Sequence, residues 1–202
     1  VRIGLGGVMR RLRAEWESQK VVLIAFPNEE TDWAKSGTLE DAYAPFIRIA
    51  QAIAYSQLVY VLSKDREKIS NLFCSKRNLV FIEAPYNDTW TRDYGALSID
   101  EDSKPKLLDF TFNGWGNKFE ANLDNGVNRY LHKRGYFGTT PLESIDFVLE
   151  GGSIESDGSG TILTTSKCLT NPNRNGGLSK REVEEHLNRY LGANRVLWLD
   201  YG

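Results

Sequence analysis

The segment LVFIEAPYNDTWTRD, Leu79 to Asp93, joins an apolar run to a loop with two acids, an arginine and a tryptophan in its last seven residues. The run LVFIEAP has the continuous apolar character and closing proline of a buried strand. Upstream, KVVLIAFP (Lys20 to Pro27) and LVYVLS (Leu58 to Ser63) read the same way. Between those two, Leu39, Tyr43, Phe46, Ile47, Ala50, Ile53 and Ala54 recur at helical spacing. Thr38 is placed to cap this helix in a box-like arrangement with Asp41, and Pro45 to kink it. DREKISNLF supplies a short helix before Leu79. Strand, helix, strand, helix, strand is the order of an α/β fold with a largely parallel core.

Downstream the texture changes. GALSID and KPKLLDFTF alternate as paired strands around a turn at Glu101 to Ser103. FNGWGNKF is a loop rich in glycine and aromatics, and ANLDNGVNRYLHKRG a helix stopped by Gly135. SIDFVLEGG and SIESDGSGTILTTSKCL read as strands around the turn DGSG. Ser179 to Leu191 is a helix with Val183, Leu187, Tyr190 and Leu191 inward, and RVLWLD (Arg195 to Asp200) is another buried strand. The order is roughly ββαβ, more than once, without a sequence repeat.

At 202 residues the chain holds one domain or one and a half, burying about 70% of its unfolded surface. Its 41% hydrophobic and 26% charged residues exclude a disordered class. The 25 basic and 27 acidic residues form no long block of one sign, so no nucleic-acid partner is expected. A small cationic partner is compatible with this balance. Cys74 and Cys168 make neither a disulfide framework nor a CxxC pair, which leads to a reduced, cytoplasmic expectation. No apolar run approaches the length of a membrane span. In VRIGLGGVMRRLRAEW the basic residues follow the apolar part, the reverse of a secretory signal. Met9 reads as a natural start and residues 1–8 as leader, tag or upstream readthrough. The expected division is therefore 1–13, a leader-like segment plus the start of the domain, and 14–202, an incomplete single domain.

Asp88, Trp90 and Asp93 are the first candidates for chemistry. A carboxylate matches the forked N–H groups of a guanidinium, and a tryptophan face holds the same cation through its quadrupole. The competing reading pairs Arg92 with Asp88 or Asp93 in a structural ion pair. Glu150 closes an apolar strand before two glycines, which suits an active-site acid or an ordinary glutamate beside a bulge. Cys168 has no neighbouring base, and a buried, inert thiol is expected for both cysteines. His132 and His186 fall among charged residues on predicted helices and are expected in solvent. No metal-ligand spacing and no phosphate loop is present. The acids alone describe a cation-binding half-site without a nucleophile or a general base.

Five blocks carry a resemblance: AEWESQKVVLIAFP, NDTWTRDYGALSI, DFTFNGWGNKF, VLEGGSIESDGSGTILTTSKCLTNPNRN and RVLWLDYG. Together they resemble the agmatine deiminase family, close to bacterial peptidylarginine-deiminase-type proteins, over nearly the whole chain. The resemblance implies a pentein-type α/β propeller of five ββαβ-like modules, about three of them present here. It implies hydrolysis of a guanidinium to a ureido group and ammonia without a cofactor, agmatine giving N-carbamoylputrescine on a route to polyamines. A cysteine thiolate would attack the guanidinium carbon, a histidine would shuttle protons and carboxylates would hold the nitrogens.

On the matched motifs, Asp93 corresponds to the acid that grips the guanidinium, and Glu150 to the acid that helps hold it and orients the catalytic histidine. Trp90 corresponds to the pocket wall and Trp115 to a lining residue. Asp88 belongs to the substrate-binding set, as a support together with Asn87 and Arg92. The family's HxD histidine and its late Gly-rich cysteine block are not among these residues, so the isolated chain is expected to lack turnover. A homo-oligomer is compatible with this reading. Two alternatives stand beside it: a peptidylarginine substrate, or a non-catalytic guanidinium-binding fragment.

Overall fold

A computed structural model describes residues 9–201; the expectation for residues 1–8 lies outside the described residues. Among the described residues ten strands form three sheets: β1 (Arg10–Leu12), β2 (Val21–Ala25), β3 (Leu58–Ser63), β4 (Leu79–Glu83), β5 (Leu97–Glu101), β6 (Lys104–Thr111), β7 (Leu142–Val148), β8 (Ile154–Ser156), β9 (Thr161–Thr165) and β10 (Arg195–Leu199). The sheet orders are β2-β3-β4, β1-β5-β6-β7 and β10-β9-β8. The fold is mixed α/β.

The first sheet is wholly parallel and covered on both faces, as parallel sheets require. Val59, Val61 and Leu79 pack with Ala50 and Ala54 on one side. Leu62 and Ile82 pack with Tyr86, Tyr94, Phe112, Val127 and Leu131 on the other. The other two sheets carry the hairpin pairing expected of the downstream half, at Glu101–Ser103 and around DGSG. Each contains an antiparallel hairpin, β5-β6 or β8-β9, and adds a parallel strand after a helix. The β5-β6 turn places Asp102 and Ser103 at φ 49° and 65°, the two positive values of a tight primed hairpin.

The Leu39–Ala54 helix runs unbroken through Pro45 and buries Ala42, Ala50 and Ala54. Asp41 and Pro45 are both exposed, so the carbonyl freed by proline faces water. Thr38 makes no side-chain cap; its hydroxyl donates to Trp33 O at 3.3 Å instead. Ser179, by contrast, forms a full capping box with Glu182 and starts the Lys180–Leu191 helix, which buries Val183, Leu187 and Leu191. β10 is not the buried strand expected. It pairs with β9 alone, turns Val196 and Trp198 toward the core, and leaves Leu197 and Leu199 40% and 49% exposed. An apolar run does not distinguish burial on one face from burial on two.

β1 clasps the second sheet to the third. It pairs with β5, while Arg11 Nη1 donates to Gly158 O at 3.0 Å and Ser156 Oγ to Leu12 O at 3.3 Å. Arg10 reaches Glu101 and Glu143, and Arg11 and Arg13 share Asp100. Gly192, which ends the last helix at φ 71°, lets this strand approach: a Cβ there would stand 1.8 Å from Arg10 O. Gly192→Ala is therefore expected to lower stability by about 2 kcal/mol or more and to speed amide exchange in β1. Gly126→Ala, at φ −99° with nothing within 4 Å, should cost almost nothing. Urea melts of both variants check this, and equal midpoints would contradict it.

Candidate functional site

The loop after β4 is fixed before it reaches Asp93. Asn87 Oδ1 accepts the N–H groups of Leu123 and Asp124, and Asp124 Oδ1 accepts those of Asn87 and Asp88 in return. The buried Asp88 carboxylate accepts from Thr89 N at 2.7 Å and from Asp32 N at 3.2 Å. Trp33 Nε1 donates to Thr89 Oγ1 at 3.0 Å. Asp88 thus ties its loop to the start of the Asp32–Lys35 helix. Arg92 pairs with neither nearby aspartate; it reaches Glu15, Glu155 and Ile154 O.

Asp93 sits on the helical turn Thr91–Tyr94. Its Oδ2 accepts from Trp115 Nε1 at 3.0 Å and its Oδ1 from Gly152 N at 3.1 Å. Both partners are neutral donors, so neither cancels the carboxylate charge. Trp90, 48% exposed, meets Trp115 edge to face at 6.3 Å. Trp115 stands on an unusual segment. Gly114, Trp115, Gly116 and Asn117 all have positive φ, 65°, 59°, 80° and 62°, which makes one left-handed turn. Asn113 Oδ1 accepts Gly116 N within it at 2.9 Å, and Asn117 N donates to Asn113 O at 2.8 Å.

Glu150 is 2% exposed and already has a cation. Arg174 Nε donates to its two oxygens at 2.8 and 3.0 Å, with the two side chains 7% and 3% exposed. The segment carrying Arg174 is held by Asn175, which brackets the N–H and C=O of Val148, and by Asn113 Nδ2 donating to Asn173 O. Gly151 and Gly152 follow Glu150 because the Asp93 turn lies against them. A Cβ at Gly151 would meet Arg92 O at 2.4 Å, and one at Gly152 Asp93 Oδ1 at 2.2 Å.

The structure therefore gathers Asp93, Trp90 and Trp115 around one carboxylate and ties the segment after Glu150 to it through Gly152. Asp88 stands apart as a support of the loop. Sequence reading missed Arg174, Asp124 and the left-handed turn; the four turn-forming residues that flank Trp115, Asn113, Gly114, Gly116 and Asn117, were the available signal for the turn.

The cysteines and histidines divide differently from expectation. Cys168 is partly buried beside the third-sheet core, but Cys74 is exposed in the polar loop that follows Phe73. His132 is exposed as expected. His186 is half-buried, stacked on Phe147 at 4.5 Å and on Tyr190, because it borders the inward stripe of its amphipathic helix. Among the described residues no group of three or more His, Cys, Asp or Glu could hold a metal ion, and no helix is long and apolar enough to cross a membrane.

The family model for Porphyromonas-type peptidyl-arginine deiminases matches residues 11–202. A Legionella pneumophila (strain Paris) protein, named provisionally as an agmatine deiminase, is 38% identical over 195 residues, covering 94% of this chain and 54% of that protein. A cysteine-to-serine variant of C. jejuni agmatine deiminase, solved with substrate bound, is 36% identical with a TM-score of 0.90, covering all of this chain and 59% of that one. The agmatine deiminase of Enterococcus faecalis is 29% identical with a TM-score of 0.80, covering 96% and 55%. The chain spans about half the length of the curated relatives it matches.

Burial pushes the Asp124 carboxyl up from 3.8 to about 6; the N–H groups of Asn87 and Asp88 oppose the shift and the Asp88 charge adds to it. A carboxyl raised on folding binds its proton more tightly in the native state, so this group removes stability as pH rises from about 4 to about 6. Asp124→Asn keeps an acceptor for both N–H groups. It should gain roughly 2–3 kcal/mol at pH 7 relative to pH 4, compared with the unaltered chain. Denaturant melts across that range check the sign, and an unchanged slope would contradict it.

Proposed function

The chain belongs to the Porphyromonas-type peptidyl-arginine deiminase family, and we propose that it carries the guanidinium-gripping part of an agmatine-deiminase-type site. The observation that carries this reading is the state of Asp93. Its two oxygens are aimed by neutral N–H donors beside the exposed Trp90. An incoming guanidinium finds an uncompensated carboxylate for paired, charge-assisted hydrogen bonds. Trp90 adds a cation–π wall worth about 0.5–2 kcal/mol, and Trp115 sets the direction of the carboxylate.

Glu150 has a different task. Arg174 offsets its charge and fixes its plane, so it orients a nitrogen or the catalytic histidine rather than supplying the main attraction. In the whole enzyme a thiolate adds to the guanidinium carbon and the histidine protonates the departing ammonia. Water then releases the ureido product and restores the thiolate. Those two groups are not among these 202 residues. The chain by itself binds the cation and does not turn it over, and the three sheets are successive modules of a pentein-type propeller.

Agmatine, yielding N-carbamoylputrescine on a route to polyamines, is favoured over peptidyl-arginine. The support is that the curated relatives bear agmatine deiminase names and that a C. jejuni agmatine deiminase similar to this chain was solved with substrate bound.

Calorimetry of the 202-residue chain with agmatine tests the proposal. Saturable binding is expected, weakened about tenfold or more by Asp93→Asn and roughly 2- to 30-fold by Trp90→Ala. Binding that survives Asp93→Asn unchanged, or no binding at all, would overturn it. Tighter binding of N-acetyl-arginine amide than of agmatine would move the substrate to peptidyl-arginine.

A further inference from the structure

Loops leaving the carboxyl ends of the parallel first sheet carry the candidate site, where α/β sheets commonly place ligands. Among these loops the chain forms a second feature, a partly open cavity of ≈ 30 Å³ lined by Asn28, Tyr43, Ser63, Ile69 and Tyr86, among others. Three buried side-chain polar atoms among the described residues lack a partner, and two of them, Asn28 Nδ2 and Ser63 Oγ, belong to residues lining this cavity. Asn28 is 7% and Ser63 1% exposed. The amide orientation of Asn28 is fixed, because its Oδ1 accepts Glu30 N at 2.8 Å. Tyr86 is fully buried and gives its hydroxyl proton to Phe26 O; its oxygen lies close to the Asn28 amide, which forms no well-aligned bond to it, and keeps a lone pair to accept.

A buried donor and a buried hydroxyl without partners are rare in folded proteins and call for a bonded guest. The volume decides which guest. One water needs roughly 10–15 Å³, whereas an organic ligand needs a few hundred. An anion is disfavoured because the cations at the rim are engaged: Lys64 with Glu30 and Lys68 with Glu29. We infer that ordered water occupies the cavity, one molecule accepting from Asn28 Nδ2, bonded to Ser63 Oγ and donating to Tyr86 Oη.

This water has a place in the site's support. Asn28 opens a turn closed by Thr31, whose N–H and hydroxyl both donate to Asn28 O at 3.1 and 2.7 Å. The next two residues hold the Asp93 loop, Asp32 through its N–H on Asp88 and Trp33 through its indole on Thr89. The water pins the base of that turn to the end of β3.

Two measurements test the inference on the whole chain, independently of ligand binding or turnover. A high-resolution crystal structure should show one density peak within about 3.2 Å of both Asn28 Nδ2 and Ser63 Oγ. A dry cavity with both side chains in place, or the two atoms bonded to each other, would overturn the site. In solution, Ser63→Val fills the cavity and should shift the amide resonances of Asp32, Asp88 and Thr89. Ser63→Ala, which leaves the water two partners, should shift them far less. Equal effects of the two variants, or none from Ser63→Val, would overturn the anchoring role.

Discussion

The hydrogen bond from Trp115 Nε1 to Asp93 rests on a backbone that two of its residues disfavour. A left-handed conformation costs roughly 1–2 kcal/mol for each non-glycine residue, and here Trp115 and Asn117 both adopt it. Such a turn persists only where its surroundings over-determine it. Asn113 does this from both ends, accepting Gly116 N inside the turn and donating to Asn173 O outside it. Phe112 and Phe119 close on the Trp115 ring at 5.0 and 5.6 Å, both edge to face. The contacts then form a circuit. Asp93 meets Trp115, the turn under Trp115 meets the Asn173–Arg174 segment, Arg174 holds Glu150, and the glycines after Glu150 return to Asp93.

That circuit explains how two acids of one site differ electrostatically. Glu150 lies deep and depends on Arg174, because a buried carboxylate without a cation would be costly. Asp93 is partly open and held by dipoles alone, so under the proposed function it is the one with charge to offer a ligand. Behind them Asp88 and Asp124 share the backbone of one loop, and burial leaves Asp124 close to half protonated near pH 6.

Much of this was legible in the residues. The strands around Val21, Leu58 and Leu79, the hairpin at Asp102–Ser103 and the helix after Ser179 all follow from periodicity and turn chemistry. What escaped was tertiary. MRRLRAEW shows no strand periodicity, yet Arg10–Leu12 forms one because β5 and Gly192 receive it. RVLWLD resembles a buried strand but packs on one side only. Arg92 is adjacent to Asp93 in sequence and points to Glu15 in space, while Arg174, distant in sequence, is the true partner of Glu150. The roles of Asp93, Glu150 and Trp90 came from family resemblance, with local chemistry agreeing. The sequence reading gave Trp115 only as a lining residue, because its donor role depends on a turn that composition does not reveal.

The most direct measurement is of the Trp115 indole N–H by nitrogen–proton correlation NMR while agmatine is added to the whole chain. Among the five tryptophans, the resonances of Trp115 and its neighbour Trp90 should move most and saturate together, and Asp93→Asn should abolish the movement. A Trp115 resonance that stays fixed while agmatine binds elsewhere would contradict the claim that this carboxylate, aimed by this indole, receives the cation.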